Sequence, residues 1–350
     1  MKLIKKIINN INGKEIFLLK FINNNNYSIE FCNYGGYFFN INIPYKKDLS
    51  KSEDVLLGYS NLDHYIHDNL YLNSIVGRYC NRISHANFKL NNSSYNLYPN
   101  LKPHHIHGGL NGFNKKIWSI DRIEKNKNYI SCVLSYLSKH MEEGYPGNLK
   151  CYSTYILNND NELIINFNAK SDHDTVVNIT NHNYWNFHGH YSSYNDIKDH
   201  HIKINANKYC ETDLDSIPTG KLIKVNNSKY DFENFKNIND HILDNKGIDK
   251  CFCINDFDGK IKEIATAFSN LTKMGIIMYS NKPGLQFYTG NNISNNLKGK
   301  YNRFYHKNYG FCLESQFFPN SINHDNFISP ILLKNDLYES NIVIKLKNDF

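Results

Sequence analysis

The sequence predicts an all-β protein with many antiparallel strands, and two observations lead to this prediction. The first is the composition: about one residue in six is asparagine, and the chain has 26 Tyr and 21 Phe but 4 Met. Asparagine competes with the helical backbone through its own side chain, whereas Tyr, Phe and Ile pack well on a pleated sheet. The chain has 350 residues, of which 41% are hydrophobic, and this is enough to bury a large core.

The second observation is the spacing of the apolar residues. Alternating or continuous apolar stretches of one strand length recur along the chain, bounded by Asn, Gly, Asp or Pro. They cover residues 15–21, 27–32, 37–43, 130–136, 151–157, 162–167, 264–268, 274–279 and 341–346. Residues 62–70 predict a short helix or turn, and the Asn-rich segments 23–26 and 291–296 predict loops. Neither a linker nor a repeat divides the chain, so we expect a single domain over residues 1–350.

The charge of the chain does not predict a nucleic-acid partner. The formal net charge is +7, but Lys and Arg are spread along the whole sequence. They do not form a basic stripe interleaved with aromatic residues, as a single-strand binder would need. A nucleic-acid binder is the alternative that the charge leaves open, and it would show a steep dependence of binding on salt.

Cysteine usage and the N-terminus predict a cytoplasmic protein. The chain has eight cysteines without a C-x-x-C motif, so we expect reduced thiols, with Cys251 and Cys253 as neighbours on one face of a strand. Residues 1–8 mix lysine with apolar residues and lack the features of a signal peptide. No apolar run approaches the roughly 20 residues of a membrane-spanning helix, so we expect no membrane association.

Two neighbouring segments carry candidate polar groups. Residues 77–83 contain Asn81 and Arg82, and residues 104–109 place His104, His105 and His107 before two glycines. Strand alternation puts His105 and His107 on one face, and the glycines predict a tight turn that holds the imidazole of His107. The nearby sequence supplies no matching ligands with zinc spacing, so we predict no metal site, although a histidine metal cluster is the alternative.

A third segment, residues 178–187, predicts a row of hydrogen-bonding groups on one strand. Alternation places Asn178, Thr180, His182, Tyr184 and Asn186 on one face, while apolar and aromatic residues anchor the other. Such a row suits a polyhydroxylated ligand, because hydroxyl groups need paired donors and acceptors and rings supply an apolar floor. A solvent-facing polar strand is the alternative.

Two further strands each contain one polar side chain among apolar ones. Residues 283–291 place Gln286 in an aromatic strand bracketed by glycines, a pattern that an ordinary strand with its turns would also produce. Residues 310–319 place Glu314 inside an apolar strand, with Cys312, Gln316 and Phe318 on its face. Burying a carboxyl group without a purpose is costly, so we expect its pKa and hydrogen bonding to be controlled.

Taken together and in order, these motifs resemble the aldose 1-epimerase (galactose mutarotase) family. The resemblance extends nearly from end to end through segments 33–36, 54–59, 77–83, 106–109, 142–147, 178–187, 217–220, 247–249, 283–291 and 312–319. It implies a large antiparallel β-sandwich with a sugar-binding cleft on one sheet face. It also implies an isomerase that needs no cofactor and interconverts the α and β anomers of hexoses such as galactose and glucose.

Carried over to this sequence, the resemblance implies roles for individual residues. Glu314 resembles the general base and His182 the general acid, and His107 would assist catalysis by placing a donor near the ring oxygen. The residues that resemble the groups holding the hydroxyls and ring oxygen of an aldose are Asn81, Arg82, His107, Tyr184, Asp249 and Gln286. His104 and His105 stand where the family usually has Asn-Ser, and Trp185 stands where Phe is common.

The sequence leaves two other functions open. A hexose-6-phosphate 1-epimerase would use the same acid and base but would need further cations for the phosphate. A non-catalytic sugar-binding protein would need the cleft alone, and it would not need an acid and a base in register. The expected partner is in each case a small sugar, and we expect a monomer or a weak homodimer.

Overall fold

The computed structural model describes residues 1–190, 196–242 and 247–350, and most of them form antiparallel strands. In chain order the strands are β1 (Lys2–Ile11), β2 (Lys14–Ile22), β3 (Ser28–Cys32), β4 (Phe38–Tyr45), β5 (Asp48–Asp54), β6 (Ile75–Val76), β7 (Arg82–Ile83), β8 (Asn87–Leu90), β9 (Ser93–Asn96), β10 (His105–Ile106), β11 (Ser119–Lys125), β12 (Tyr129–Ser138), β13 (Leu149–Asn158), β14 (Glu162–Ser171), β15 (Thr175–Val176), β16 (Thr180–Asn181), β17 (Tyr184–Trp185), β18 (His200–Ile204), β19 (Lys208–Thr212), β20 (Pro218–Lys224), β21 (Lys236–Asn237), β22 (Asp249–Cys253), β23 (Lys262–Ser269), β24 (Gly275–Ser280), β25 (Gly284–Tyr288), β26 (Leu297–Lys298), β27 (Phe304–Tyr305), β28 (Phe311–Gln316), β29 (Ile331–Leu332) and β30 (Tyr338–Lys347).

Helical structure is confined to short segments in the described part of the chain. The helix α1 (Leu62–Ile66) lies inside the region that predicted a helix or turn, and the side chain of Asn61 caps it by accepting a hydrogen bond from the His64 amide. The 3₁₀ turns are Ser84–Ala86, Phe113–Lys115, Glu142–Gly144, Ile238–His241, Lys300–Asn302 and Ser321–Asn323. No helix in the described ranges is both long and apolar enough to cross a membrane.

Three large sheets make up the sandwich. Strands β1 to β5 form a five-stranded sheet in sequence order, and a nine-stranded sheet has the order β11-β12-β13-β14-β30-β24-β23-β18-β21. The six-stranded sheet has the order β17-β28-β25-β22-β19-β20. One hydrophobic core contains side chains from all three sheets, so they pack against one another around it. The predicted all-β antiparallel architecture is confirmed.

The period-2 pattern of the six-stranded sheet separates its core face from its polar face. On β25, Leu285 and Phe287 belong to the core, and on β28 so do Phe311 and Leu313. The residues between them therefore point to the other side of the sheet. Burying one large apolar side chain contributes about 1.5–3 kcal/mol, so a one-residue slip of register would cost several times that amount.

All nine predicted strand runs overlap strands of the structure, and the predicted loops at residues 23–26 and 291–296 are turns and irregular segments. The prediction missed several strands with many exposed residues, among them β1, β5, β11 and β20, and in β1 the pattern of lysine and isoleucine does not alternate cleanly. All eight cysteines are free and buried, as expected for reduced thiols, and Cys251 and Cys253 lie on β22.

Asparagine occupies many of the turn positions that have a positive φ. More than half of the described non-glycine residues with positive φ are asparagine: Asn12, Asn26, Asn73, Asn81, Asn91, Asn92, Asn161, Asn227, Asn302, Asn308, Asn320 and Asn335. Asparagine tolerates the left-handed region because its short side chain bonds to the local backbone. The asparagine excess is therefore used partly at positions where the chain must reverse direction.

Candidate active site

A cavity of about 350 Å³ opens on the polar face of the six-stranded sheet. The site residues predicted from the sequence all line it: Asn81, Arg82, His107, His182, Tyr184, Asp249, Gln286 and Glu314. They come from segments that are far apart in the chain, so the fold gathers them into one place.

Three adjacent strands hold one side of the cavity in register. Gln286 on β25 is paired directly with Glu314 on β28, and Asp249 on β22 is paired with Tyr288 on β25. All four side chains line the cavity. Because the backbone ladder fixes these positions, the spacing of the polar groups is set before any ligand binds.

Glu314 and His182 face each other inside the cavity. Oε1 of Glu314 lies 3.6 Å from Nε2 of His182, and the side chains are 2% and 6% exposed. Burial raises the pKa of Glu314 well above its ordinary value, the charge of Asp249 raises it further, and Arg82 opposes the shift. Burial also lowers the pKa of His182 to about 4. Both shifts favour the uncharged pair, with a proton on the carboxyl group and none added to the imidazole.

Rings fix the orientation of His182. The imidazole stacks on Tyr184 with the ring centres 5.1 Å apart and lies 6.3 Å from Tyr71 in the same stacked arrangement. The ring of His107 meets it edge-on at 5.3 Å. This packing leaves Nε2 directed toward Glu314.

The loop after β10 places His107 in the cavity through an unusual backbone. His107 has a φ of 52°, and Gly108 and Gly109 follow with φ values of 84° and 101°. A Cβ atom on Gly108 would lie 1.9 Å from the carbonyl oxygen of Gly77, so the close approach requires glycine. The backbone amide of Asn81 donates to Nδ1 of His107 over 3.2 Å. Burial lowers the pKa of His107 well below its usual value, and the neighbouring His182 lowers it further.

Arg82, Asp249 and Gln286 form a polar cluster beside the carboxyl group of Glu314. A guanidinium nitrogen of Arg82 lies 3.4 Å from Oδ2 of Asp249, and the Gln286 amide donates to Oδ1 of Asp249 over 2.5 Å. Asn81 accepts a hydrogen bond from the backbone amide of Arg82 over 2.9 Å. The cluster therefore presents a fixed set of donors and acceptors at the edge of the cavity.

Four buried polar atoms of residues that line this cavity lack a hydrogen-bond partner in the described structure. They are Nε of Arg82, Nδ2 of Asn114, Oε1 of Gln286 and Oε2 of Glu314. A buried polar atom without a partner costs about 1–3 kcal/mol. Two donors and two acceptors around a concave site therefore indicate a place where a polar ligand binds.

Two sequence-based expectations about strand faces are wrong. His105 and His107 do not share a face, because β10 ends at Ile106 and the positive φ of His107 breaks the alternation. His105 lies in the interior, where Nε2 contacts the hydroxyl of Tyr145 at 2.7 Å and Nδ1 contacts the carbonyl of Tyr98 at 2.8 Å.

The predicted polar row on residues 178–187 is also not one continuous strand. The segment forms two separate bridges, β16 and β17, and both of its faces are buried. Asn178 bonds to the backbone of Phe317, and Asn186 donates to the carbonyl of Tyr309, so these two amides hold the fold together. Of the row, His182 and Tyr184 line the cavity.

Sequence reasoning missed several residues that complete the cavity. Tyr71 and Tyr288 supply aromatic surface, and Asp68, Lys115 and Asn292 add polar groups. Tyr288 lies on the same face of β25 as Gln286, so alternation could have found it. Tyr71 follows α1 in an irregular segment with a φ of 57°, where no periodic signal exists.

The described residues contain no group of three or more His, Cys, Asp or Glu side chains arranged to hold a metal ion. His104, for example, directs Nε2 toward Asp215 at 3.6 Å, and its Nδ1 accepts a hydrogen bond from the amide of His85. His104, His105 and His107 thus have three different surroundings.

Known proteins resemble this chain in sequence and in fold. Galactose mutarotase from Homo sapiens is 36% identical over 287 residues, which cover 81% of each chain. Aldose 1-epimerase from Escherichia coli (strain K12) is 30% identical over 325 residues, which cover 91% of each chain.

Two solved structures show the same fold. The galactose 1-epimerase of Lactobacillus acidophilus aligns over 100% of this chain and 99% of its own, with a TM-score of 0.86 and 23% identity. The aldose epimerase homologue from C. elegans aligns over 95% and 99%, with a TM-score of 0.85 and 24% identity.

The family model described as aldose 1-epimerase matches residues 18–345 of this chain. This match covers nearly the whole sequence, and the curated relatives agree with it. The family that the sequence motifs predicted is therefore confirmed: the chain belongs to the aldose 1-epimerase family of isomerases.

Proposed function

We propose that this protein interconverts the α and β anomers of free hexoses, with galactose and glucose as substrates. The observation that carries the proposal is the pairing of Glu314 and His182, two buried proton-exchanging groups 3.6 Å apart in a cavity with unpartnered polar atoms. The relatives named galactose mutarotase and aldose 1-epimerase support the choice of substrate.

The reaction requires an acid and a base that act on one hemiacetal. Glu314 as carboxylate removes the proton from the C1 hydroxyl, the bond between C1 and the ring oxygen breaks, and C1 becomes an aldehyde carbon. His182 as imidazolium gives its Nε2 proton to the ring oxygen. Rotation about the C1–C2 bond followed by the reverse transfers produces the other anomer, and each proton-transfer group typically contributes about 10²- to 10⁴-fold in rate.

The pKa shifts of the free protein are compatible with these roles. The uncharged pair and the ion pair of Glu314 and His182 hold the same number of protons, so moving one proton between them converts one into the other. The gap of 3.6 Å between the two groups lets the proton pass directly from the carboxyl group to Nε2 after a small approach of the side chains. Sugar hydroxyls that donate to Oε2 of Glu314 would stabilise the carboxylate.

The surrounding polar groups are suited to holding a sugar in one orientation. Nε of Arg82 can donate to a hydroxyl oxygen, and Oε1 of Gln286 can accept from a hydroxyl. The rings of Tyr71 and Tyr288 offer apolar surface to the C–H faces of the sugar. His107, held by Asn81, lies where a donor could assist as charge develops on the ring oxygen.

The direct test is a coupled assay of α-to-β conversion with purified protein on galactose and on glucose. We expect catalysed interconversion well above the spontaneous rate, and we expect a chelator to leave it unchanged. A rate equal to the spontaneous one on both sugars would contradict the proposed activity. Loss of activity with EDTA and its recovery with zinc would instead support metal-dependent chemistry.

The same assay with glucose 6-phosphate separates the related alternative. Among the described residues that line the cavity, the cationic side chains are Arg82 and Lys115, and Arg82 is already close to Asp249. A phosphate needs several cationic or amide donors. We therefore expect a higher rate on glucose than on glucose 6-phosphate, and the opposite order would favour a hexose-6-phosphate 1-epimerase.

A further inference from the structure

His182 has a neighbour on the side of its ring that faces away from Glu314. Sγ of Cys312 lies 3.4 Å from Nδ1 of His182, and Nε2 of the same ring faces Glu314. Each nitrogen of the imidazole therefore has its own partner. Both partners come from β28, where Cys312 and Glu314 are two residues apart and share a face.

The position of Cys312 is fixed by the sheet. Its backbone is paired with Tyr184 on β17 and with Tyr288 on β25, so strands hold it on both sides. The side chain is fully buried, and burial together with the charge of Glu314 raises the pKa of its thiol well above the ordinary value. Cys312 is therefore an uncharged thiol, whose sulfur accepts hydrogen bonds weakly.

The partners of the two ring nitrogens indicate which of them carries the proton. Nε2 faces the buried carboxyl group of Glu314, whose raised pKa keeps a proton on it, so Nε2 faces a donor. Nδ1 lies 3.4 Å from Sγ of Cys312, and a neutral sulfur can accept from an N–H group.

We propose that Cys312 is a positioning residue that keeps the second proton of His182 on Nδ1, so that Nε2 alone exchanges a proton with Glu314 and with the sugar. The N–H group at Nδ1 donates to Sγ of Cys312 in both the neutral and the protonated imidazole. After His182 has protonated the ring oxygen, the lone pair is then already on Nε2, which is the atom needed for the reverse transfer.

The weakness of sulfur as an acceptor has a chemical consequence for His182. A carboxylate at this position would stabilise the imidazolium and make His182 a weaker acid. An uncharged thiol orients the ring without that stabilisation. The acid strength required for ring opening is therefore preserved, and this part of the inference rests on the proposed function.

The test combines ¹⁵N NMR of the histidine side chains with steady-state kinetics. The variants are Cys312→Ala, Cys312→Ser and, as a matched control, Cys132→Ala, which removes a buried thiol of β12 from the core away from the cavity. The resonances of His182 are identified by their loss in His182→Asn.

In the wild-type protein we expect a protonated Nδ1 and an unprotonated Nε2 for neutral His182. Cys312→Ala should show a mixture of tautomers and a kcat about 5-fold lower, with KM within about 2-fold, because one weak hydrogen bond is lost. Cys312→Ser keeps an acceptor and should keep the wild-type tautomer and most of kcat. Cys132→Ala should match the wild-type protein in both measurements.

Two results would overturn the role of Cys312. One is a neutral His182 that carries its proton on Nε2 in the wild-type protein, a measurement that does not depend on any variant folding. The other is an unchanged tautomer in Cys312→Ala. If the wild-type protein does not act on galactose or glucose, the proposed function fails, while the NMR result still decides the inference about Cys312.

Discussion

Asp249 and Glu314 lie on the same side of the six-stranded sheet with one strand between them, and the charge of Asp249 raises the pKa of Glu314. Arg82 acts in the opposite direction on the same carboxyl group while lying 3.4 Å from Asp249. The acid–base behaviour of Glu314 is thus set by burial and adjusted by two residues that also line the cavity.

This arrangement predicts that Asp249→Asn and Arg82→Met shift the pH profile of kcat/KM in opposite directions. The active enzyme holds one proton between Glu314 and His182, so kcat/KM falls when pH rises through the pKa of Glu314. Removing the negative charge in Asp249→Asn lowers that pKa and should move the alkaline fall to lower pH, whereas Arg82→Met should move it to higher pH.

The measurement is kcat/KM as a function of pH for each variant, with Asp325→Asn as a control because it removes an exposed carboxylate. Both site variants should also raise KM, so the midpoint of the fall, and not the absolute rate, carries the result. Shifts in the same direction would contradict this account of Glu314.

Replacing the carboxyl group of Glu314 tests the general base. Glu314→Gln keeps the shape and the hydrogen-bonding capacity of the side chain but cannot remove a proton. We expect the catalysed rate to fall by about 10²- to 10⁴-fold, measured by polarimetry on α-galactose. A rate near that of the wild-type protein would remove Glu314 from the mechanism.

The same variant should be more stable than the wild-type protein at neutral and alkaline pH. The folded-state pKa of Glu314 is raised above its unfolded value, so the folded protein binds more protons above pH 4.5 and its stability falls as pH rises. Each unit of the shift corresponds to about 1.4 kcal/mol. Glu314→Gln has no carboxyl group to ionise at this position. Between pH 5 and pH 8 its free energy of unfolding, measured with urea, should therefore decrease less than that of the wild-type protein.

Replacing His182 tests the general acid. His182→Asn preserves a polar side chain but cannot protonate the ring oxygen, so we expect a loss of about 10²- to 10⁴-fold in kcat. Thermal unfolding should change far less than activity, and a circular dichroism spectrum equal to that of the wild-type protein would establish that the sheet is intact. A variant that unfolds at the wild-type temperature and retains full kcat would contradict the assignment.

A buried histidine outside the cavity predicts loss of stability in acid. Burial lowers the pKa of His105 from 6.5 to about 4, so the unfolded protein binds more protons between these values and stability falls as pH drops through this range. The contribution of His105 is about 3 kcal/mol. His105→Gln should therefore lose less stability between pH 6.5 and pH 4 than the wild-type protein does.

The control for this measurement is His64→Gln, which removes an exposed imidazole on α1. It should lose stability in acid to the same extent as the wild-type protein. His182 is buried with a pKa lowered to about 4 as well, so some acid dependence should remain in His105→Gln. Equal curves for His105→Gln and the wild-type protein would contradict the prediction.

The sequence predicted the β architecture and the position of Glu314 because both depend on local alternation. A carboxyl group inside an apolar run of β28 is visible without any tertiary information. Asp249 has a weaker signal, since it stands at the first position of β22 beside Lys250, where a polar residue is common, and it was identified through resemblance to a family. Residues whose position depends on tertiary contacts, such as Tyr71 beside His107, could not be inferred from spacing.

The failures have a common physical cause. Strand alternation holds while φ stays negative and extended, and His107 departs from it because two glycines let the chain turn against the backbone of Gly77. Asn178 does not join the predicted polar row for a different reason: its Oδ1 accepts a hydrogen bond from the backbone amide of Phe317, 139 residues away. Tertiary hydrogen bonding of this kind leaves no trace in local sequence.

The left-handed turns that use asparagine bear on how this chain can change over time. Substitution by asparagine costs least at such turns, because most side chains other than glycine are strained in the left-handed region. Asn12 and Asn227 lie in exposed turns, where glycine can adopt the same backbone and a β-branched residue would distort the loop away from the cavity.

Asn81 is different, since its left-handed backbone also directs an amide toward His107 and a carbonyl oxygen toward the same residue. Asn73 is also held by its side chain, which donates to the carbonyl of Leu57 and accepts from the amide of Tyr184. Changes of composition are therefore tolerated at exposed turns and constrained at buried turns such as these.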